Sequence, residues 1–403
     1  MTNLPQGWEV KTLSEIGEIV TGSTPSKSNL DFYGKDYPFF KPSDFEQGYF
    51  LENAGDNLSK LGFGKARQLP PKTILVVCIG SLGKVALTKV IGSCNQQINA
   101  IIPHKNIISE YIYYYCISSK FQSILFSKAP QTTLAILNKT EFSKLEIIYP
   151  KDIKEQERIV GILDFAFSKI DENIKKAKEN LANIDEFMQS ALQKAFNPLN
   201  DNTKENYQLP QSWEWKSLGD TSNYGKTSQV KPSQLKGNDW ILELEDIEKE
   251  SGVLLQKVLF QDRQSKSNKI KFNKGDILFG TLRPYLKKVI IADDNGACSS
   301  EIMPFSTGNS ITNHFIYYYL FANFLHDRIS SLTYGARMPR LGTKDGKSLQ
   351  IPLPPLQEQE QIAEHLDFVF EKAKALKELY TKELKDYEEL KQSLLDKAFK
   401  GEL

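Results

Sequence analysis

The segment Tyr334-Gly-Ala-Arg-Met-Pro-Arg-Leu-Gly-Thr-Lys344 frames three cations, Arg337, Arg340 and Lys344, with glycines and a proline. Such framing predicts an exposed loop, and Arg or Lys on a loop can anchor phosphates or donate to base edges. A solvated basic loop is the plainer alternative. Catalytic chemistry is harder to place. A base methyltransferase calls for a Gly-rich cofactor turn and an Asn/Asp-Pro-Pro-aromatic element, and Asn197-Pro-Leu-Asn200 lacks both the second proline and the aromatic. No Gly-x-x-x-x-Gly-Lys-Ser/Thr phosphate loop is present. The acidic stretch 243–250 offers carboxylates for a metal, but its counterpart in an internal repeat, residues 41–46, is not a matching acidic cluster. Cys78, Cys94, Cys116 and Cys298 stand far apart, and His104, His314, His326 and His365 have no metal-like spacing. Reduced thiols and no bound metal are expected.

The 403 residues carry 51 Lys and Arg against 50 Asp and Glu, a formal charge of +1. This balance does not advertise a polyanion partner, although basic patches can hide inside a neutral sum. A hydrophobic content of 40% with 11% aromatics is that of a folded chain and too rich for a disordered one. The first ten residues show no basic-then-apolar signal pattern, and the apolar runs fall short of the roughly 20 residues that span a bilayer. A cytoplasmic protein is expected.

The elements that must position any reader loops come in duplicate. Leu4-Pro-Gln-Gly-Trp-Glu-Val-Lys-Thr-Leu13 returns as Leu209-Pro-Gln-Ser-Trp-Glu-Trp-Lys-Ser-Leu218. Glu155-Gln-Glu-Arg-Ile-Val-Gly-Ile-Leu-Asp-Phe-Ala-Phe167 returns as Glu358-Gln-Glu-Gln-Ile-Ala-Glu-His-Leu-Asp-Phe-Val-Phe370. The period of about 204 residues is far beyond a solenoid unit, so the chain is a duplicated domain pair, A–B–A′–B′, with B better kept than A. In A, short β-rich runs (74–79, 98–102, 277–279, 288–291) alternate with glycine turns, and single helices are expected over 109–126 and 311–329. These features predict an α+β fold with a mixed or antiparallel sheet. The tyrosine triplets 113–115 and 317–319 suit core packing better than base stacking, and Trp8 and Trp213 read as domain anchors. In B, Ile159, Leu163, Ala166, Ile170, Ile174, Ala177, Leu181, Ile184, Met188, Ala191 and Ala195 fall at steps of three and four. B′ repeats the stripe through Ile362, Leu366, Val369, Ala373, Leu376, Tyr380, Leu384, Tyr387, Leu390 and Leu394. Each is a coiled-coil seam on a helix about 60 Å long, and the natural partner of one is the other, antiparallel, with the C-terminus brought back to the N-terminus.

The twice-used Leu-Pro-x-x-Trp-Glu start and the Pro-x-x-x-x-Glu-Gln-x-x-Ile approach to each helix are accompanied by four further segments, Gly22-Ser-Thr-Pro-Ser26 with Phe40-Lys-Pro-Ser-Asp44, and Gly80-Ser-Leu-Gly-Lys84 leading to Asn95-Gln-Gln97. In this order the chain resembles the specificity subunit of type I restriction-modification systems over essentially its whole length. The resemblance implies two similar α/β-mixed target-recognition domains, 1–152 and 209–355, separated by two long antiparallel coiled-coil helices, 153–196 and 356–403, in a pseudo-two-fold arrangement. Residues 197–208 would be an exposed polar linker. It further implies that each domain reads half of a split double-stranded DNA target, and that the helices set the spacing and dock two methyltransferase subunits. A restriction motor-nuclease would join the full complex. No cofactor is expected on this chain, with S-adenosylmethionine, ATP and Mg in the partner subunits. A spacer scaffold joining two protein-binding modules is the alternative, followed by a chain with its own methyltransferase or nuclease activity.

Half-sites one helical turn apart lie roughly 34–36 Å from each other, within reach of such a rod. Divergence of A from A′ predicts that the two half-sites differ. By residue type and loop placement, the DNA-binding candidates of the first domain are Ser23, Thr24, Ser26, Lys27, Lys41, Ser43, Lys84, Gln96, Gln97, Gln131, Thr132, Thr133 and Lys139. Those of the second are Lys226, Arg283, Tyr285, Lys287, Ser299, Ser300, Arg337, Arg340 and Lys344.

Overall fold

The computed structural model describes residues 4–129, 135–199, 207–263 and 265–403. Apolar strands and two long amphipathic helices sort into two compact units, Met1–Ala177 with Thr381–Leu403, and Lys178–Tyr380. Each unit therefore combines one mixed α+β domain with part of both long helices, Ile153–Phe196 and Leu356–Ala398.

In the first unit the fully buried run Ile74–Val77 lies at the centre of a five-stranded sheet, ordered Gly17–Thr21, Ile98–Pro103, Ile74–Val77, Val85–Thr88 and Phe50–Leu51. Neighbours are antiparallel except Phe50–Leu51, which runs parallel to Val85–Thr88. A strand buried on both faces has no solvated side, and this explains its unbroken apolar sequence. Trp8–Thr12 pairs antiparallel with Glu146–Pro150, and so closes the domain beside the start of the first long helix. The second unit repeats the plan in smaller sheets. Ile277–Gly280 pairs antiparallel with both Val289–Ile291 and Ile302–Phe305, and Glu214–Ser217 pairs with Gln350–Leu353.

The expected single helix over 109–126 is two helices, Ser109–Ile117 and Ser119–Lys128, and its counterpart divides into Asn313–Tyr319 and Asn323–Leu332. A tertiary cap marks both breaks. Gln392 of the second long helix accepts from the Ser119 N–H at 3.1 Å, and Gln189 of the first accepts from the Asn323 N–H at 3.1 Å. Apolar spacing continues through the breaks, so periodicity does not register them.

The same anchors hold a long helix to the domain it follows in both units. Gln156, fully buried, accepts from the Ile108 N–H and donates to the Pro150 carbonyl, both at 2.9 Å. Gln359, also fully buried, accepts from the Thr312 N–H at 2.9 Å and donates to Pro354 at 2.8 Å. The Tyr114 hydroxyl donates to Asp164 at 2.6 Å, and Tyr318 donates to Asp367. The triplet tyrosines are core residues, with Tyr114, Tyr115, Tyr318 and Tyr319 buried. Trp213 is buried and its indole N–H donates to Glu358.

The other end of each long helix closes a different domain from the one it leaves. Phe399 packs edge-on against Tyr111 and Tyr115, with ring centroids 5.5 and 5.0 Å apart. Phe196 packs in the same way against Phe315 and Tyr319, both at 5.1 Å. The segments are antiparallel in each unit. In the first, Leu163 shares a core with Leu395 while Asp171 pairs with Lys391 at 2.5 Å; in the second, Leu192 shares a core with Leu366 while Asp185 pairs with Lys377. The C-terminal tail returns to the N-terminal strand's surroundings, where Arg158 donates to the Leu403 carbonyl at 2.9 Å.

Two seam positions depart from expectation. Leu376 and Leu390 are 44% and 45% exposed, because Lys377 and Lys391, one residue on, occupy the inward face and pair across the seam. A helix of 3.6 residues per turn drifts against a heptad, which moves the stripe by a residue over this length. In the 197–208 segment Pro198, Leu199 and Gln208 are exposed, while two described positions are not. Asn197 and Tyr207 are buried, and the Tyr207 hydroxyl donates to the Phe196 carbonyl at 2.5 Å.

Phe399→Ala is expected to destabilise the first unit by about 3–5 kcal/mol, the usual cost of deleting a buried ring. Phe165→Ala, at a position 70% exposed, is expected to change stability by less than about 0.5 kcal/mol in the isolated chain. Urea unfolding of both variants measures the difference.

Candidate nucleic-acid interface

In the first unit, strand pairing draws separate loops to one end of the domain. Phe40 pairs with Cys94 at the end of Tyr33–Phe40, and the Asn95 N–H donates to the Phe40 carbonyl. The Ser23 N–H donates to Cys94, so the 22–26 turn lies against the 94–97 segment. Any Cβ at Gly22 would collide with the Cys94 and Asn95 carbonyls, which is why a glycine stands there. The Tyr33 hydroxyl fixes the turn through the Pro25 carbonyl at 2.7 Å.

This convergence joins Ser23, Thr24, Lys41, Gln96 and Gln97. The Thr24 hydroxyl donates to the exposed Gln96 side chain at 2.5 Å, and the half-buried Gln97 is held by Asn95 and the Ile79 carbonyl. Ser26, Lys27 and Ser43 are exposed nearby in sequence, with Ser26 bonded to Ser28. Lys41 pairs with Asp56, and Lys84 with Glu46 at 2.5 Å, so neither is a free cation. Lys139 is exposed at the start of the short helix Lys139–Ser143. Gln131, Thr132 and Thr133 lie outside the described residues.

The second unit builds its loop end differently. Arg283 adopts a left-handed conformation (φ 49°), caps the turn Pro284–Leu286 and donates its N–H to the Pro339 carbonyl at 2.7 Å. The basic segment is a hairpin, Thr333–Tyr334 against Arg340–Leu341, turned at Gly335 with φ 92°. Its base is tied by the Leu341 N–H to the Thr281 carbonyl at 3.0 Å, and Arg340 reaches Glu301 at 3.2 Å. Arg283, Tyr285, Ser300, Arg337 and Lys344 are exposed around this framework, and Lys226 is exposed on a separate loop. Among the described residues no carboxylate pairs with Arg283 or Arg337.

Lys287 and Ser299 are turned inward. The Lys287 ammonium is bound by the Phe321 carbonyl at 3.1 Å and by Asn323, and burial lowers its pKa. The cation is thus committed to the ends of a helix junction and is not offered to solvent. Ser299 is buried, and only its neighbour Ser300 faces out. Tyr334 and Met338, 61% and 51% exposed on the hairpin, were not among the candidates. The signal that would have found them is two bulky apolar side chains in a loop framed by glycine and proline.

Several groups suited to catalysis are occupied otherwise. All four cysteines are buried; burial pushes the Cys78 and Cys94 thiols up to about 12, far from a nucleophilic thiolate. His326 is buried, with its pKa down to about 4, and its ring bonds the Leu320 carbonyl at 2.6 Å. Asp246, at the heart of the acidic 243–250 stretch, is fully buried and bound by Arg263 at 2.7 Å and by Gln256 at 2.8 Å. Its role is to fold the loop. No metal-binding group of His, Cys, Asp and Glu occurs among the described residues, and no helix of the described residues is long and apolar enough to cross a membrane.

Residues 5–183 and 210–385 match the family described as type I restriction modification DNA specificity domain. The chain is 39% identical over 176 residues to the type I restriction enzyme HindI specificity subunit of Haemophilus influenzae, an overlap of 42% of this chain and 38% of that one. It is 22% identical to the EcoDI specificity subunit of Escherichia coli, over 99% of this chain and 89% of that one. A solved chain described in connection with complex assembly and conformational transition of the type I R-M system superposes with a TM-score of 0.79 at 18% identity, covering 100% of both chains. At that identity the likeness speaks for the fold.

If the hairpin end faces a duplex, Arg283→Ala combined with Arg337→Ala flattens the dependence of log K on log salt by about 0.9 for each phosphate that is no longer neutralised. Lys287→Met leaves that slope unchanged. A fluorescence-anisotropy titration across a salt series reads both, and equal slopes for wild type and the double variant would exclude the arginines from touching phosphates.

Proposed function

The chain belongs to the type I restriction-modification DNA specificity family, and from that premise we propose that it reads an asymmetric, bipartite DNA target and docks two methyltransferase subunits. It is a specificity subunit, the recognising rather than the catalytic member of its system. One contrast between the units carries the finer reading. The helix anchors are the same in both, Gln156 with Gln359, Tyr114–Asp164 with Tyr318–Asp367, and Phe399 with Phe196. The loop ends are not. Thr24 and Gln96 with a paired Lys41 occupy the first, and Arg283 and Arg337 the second. Equivalent helical frames suit two copies of one partner, while unlike loops suit two different half-sites.

Exposed aromatics on the helices favour the docking role. Phe165 and Phe368 hold matching positions in the duplicated Leu-Asp-Phe motif and are 70% and 59% exposed. A single exposed ring is unremarkable, but the same ring exposed twice at matching positions fits a contact made twice. The methyl donor, ATP and Mg are then requirements of the methyltransferase and motor-nuclease subunits. The long helices, each shared between two units, would fix the spacing of the half-sites.

Replacing residues 1–152 by the corresponding domain of a related subunit, in a host carrying the whole system, is expected to change one half of the methylated sequence only. Methylation-sensitive sequencing reads the outcome. A change in both halves would contradict independent reading, and loss of assembly would contradict docking through the helices.

A further inference from the structure

The Thr333–Leu341 hairpin carries a surface that hydrogen-bonding readout does not account for. Met338 and Tyr334 expose 51% and 61% of their area, and Tyr285, two residues beyond the Arg283 contact with the hairpin, exposes 49%. Scattered apolar side chains on a protein surface need no explanation. Met338 and Tyr334 share one short hairpin, Tyr285 stands on the turn bonded to it, and the hairpin is braced. The Arg283 N–H holds the Pro339 carbonyl, the Leu341 N–H holds Thr281, and Arg340 holds Glu301. Gly335 supplies the positive φ that the tight tip requires. A braced apolar tip keeps its shape under load, whereas a floppy loop would fold its side chains away.

The charge around the tip selects the partner. Arg337 stands beside Met338 in the chain and Arg283 is bonded to the hairpin through its backbone, and no carboxylate among the described residues neutralises either. Apolar side chains flanked by free arginines match the faces and the phosphates of a duplex. Inserting an apolar wedge between base pairs unstacks the step and kinks the helix, with arginines holding the deformed backbone. Resting on the DNA-reading role above, we propose that Met338, with Tyr334 beside the hairpin turn, is a wedge that enters a base step of the second half-site. Part of the specificity of that half-site then comes from how easily the step unstacks, at base pairs that receive no hydrogen bond from the protein.

The test uses the assembled complex and target duplexes with 2-aminopurine placed in turn at each position of the second half-site. A several-fold rise in fluorescence is expected at one step other than the base that becomes methylated. Met338→Gln abolishes that rise and Met338→Leu keeps it. Arg337→Ala weakens binding but keeps the rise at saturating protein. Persistence of the rise in Met338→Gln, or its absence in a wild-type complex that binds the target specifically, overturns the wedge and leaves the DNA-reading role standing. A Met338→Gln chain that folds but no longer assembles with its partner subunits makes the tip a protein contact and also overturns it. A wild-type complex with no preference for any duplex overturns the DNA reading itself.

Discussion

The closing of each unit by the far end of a long helix is the contact on which the rest of the structure depends. Phe399 seats between Tyr111 and Tyr115, and Phe196 between Phe315 and Tyr319. Neither domain core is complete without a phenylalanine that arrives from a helix begun elsewhere in the chain. Edge-to-face aromatic packing adds roughly 0.5–1.5 kcal/mol per pair to the area buried, and it is directional, so it fixes the seating as well as the stability. The glutamine caps follow from it. Gln392 and Gln189 reach Ser119 and Asn323 because the turns carrying them are pinned beside those rings. The broken helices, in turn, support the sheets whose loop ends carry the candidate reading residues.

Much of this was legible in the sequence, for a physical reason. A duplicated chain states its anchors twice, so Gln156 with Gln359 and the tyrosine triplets stand out against diverged surroundings. Helices of over forty residues with a three-four stripe leave little room for another reading. What escaped depends on partners distant in the chain. Ser118 ends a helix where apolar spacing runs on, since its neighbour's N–H is capped from more than 270 residues away. The inward face passes from Leu376 to Lys377 because Asp185 is there to receive it. Lys287 has the residue type of a phosphate anchor, but the Phe321 carbonyl and Asn323 claim its ammonium. Residue type and loop placement name the candidates, and only the fold decides which of them face outward.

The near-zero net charge acquires a distribution. Many charges sit on the long helices as solvated pairs such as Lys169 and Lys176 with Glu172, or Lys385 with Glu389, each worth little to stability. Lys41 and Lys84 are likewise paired in the first unit. Arg283 and Arg337, which no carboxylate among the described residues pairs, stand at the loop end of the second.

Footprinting of the assembled complex on DNA carrying its methylated sequence tests the central claim most directly. Two readers carried on one chain predict two short protected blocks of different sequence with an unprotected gap between them. A single continuous block confined to one half of the target, or no protection beyond that of random DNA, would contradict it.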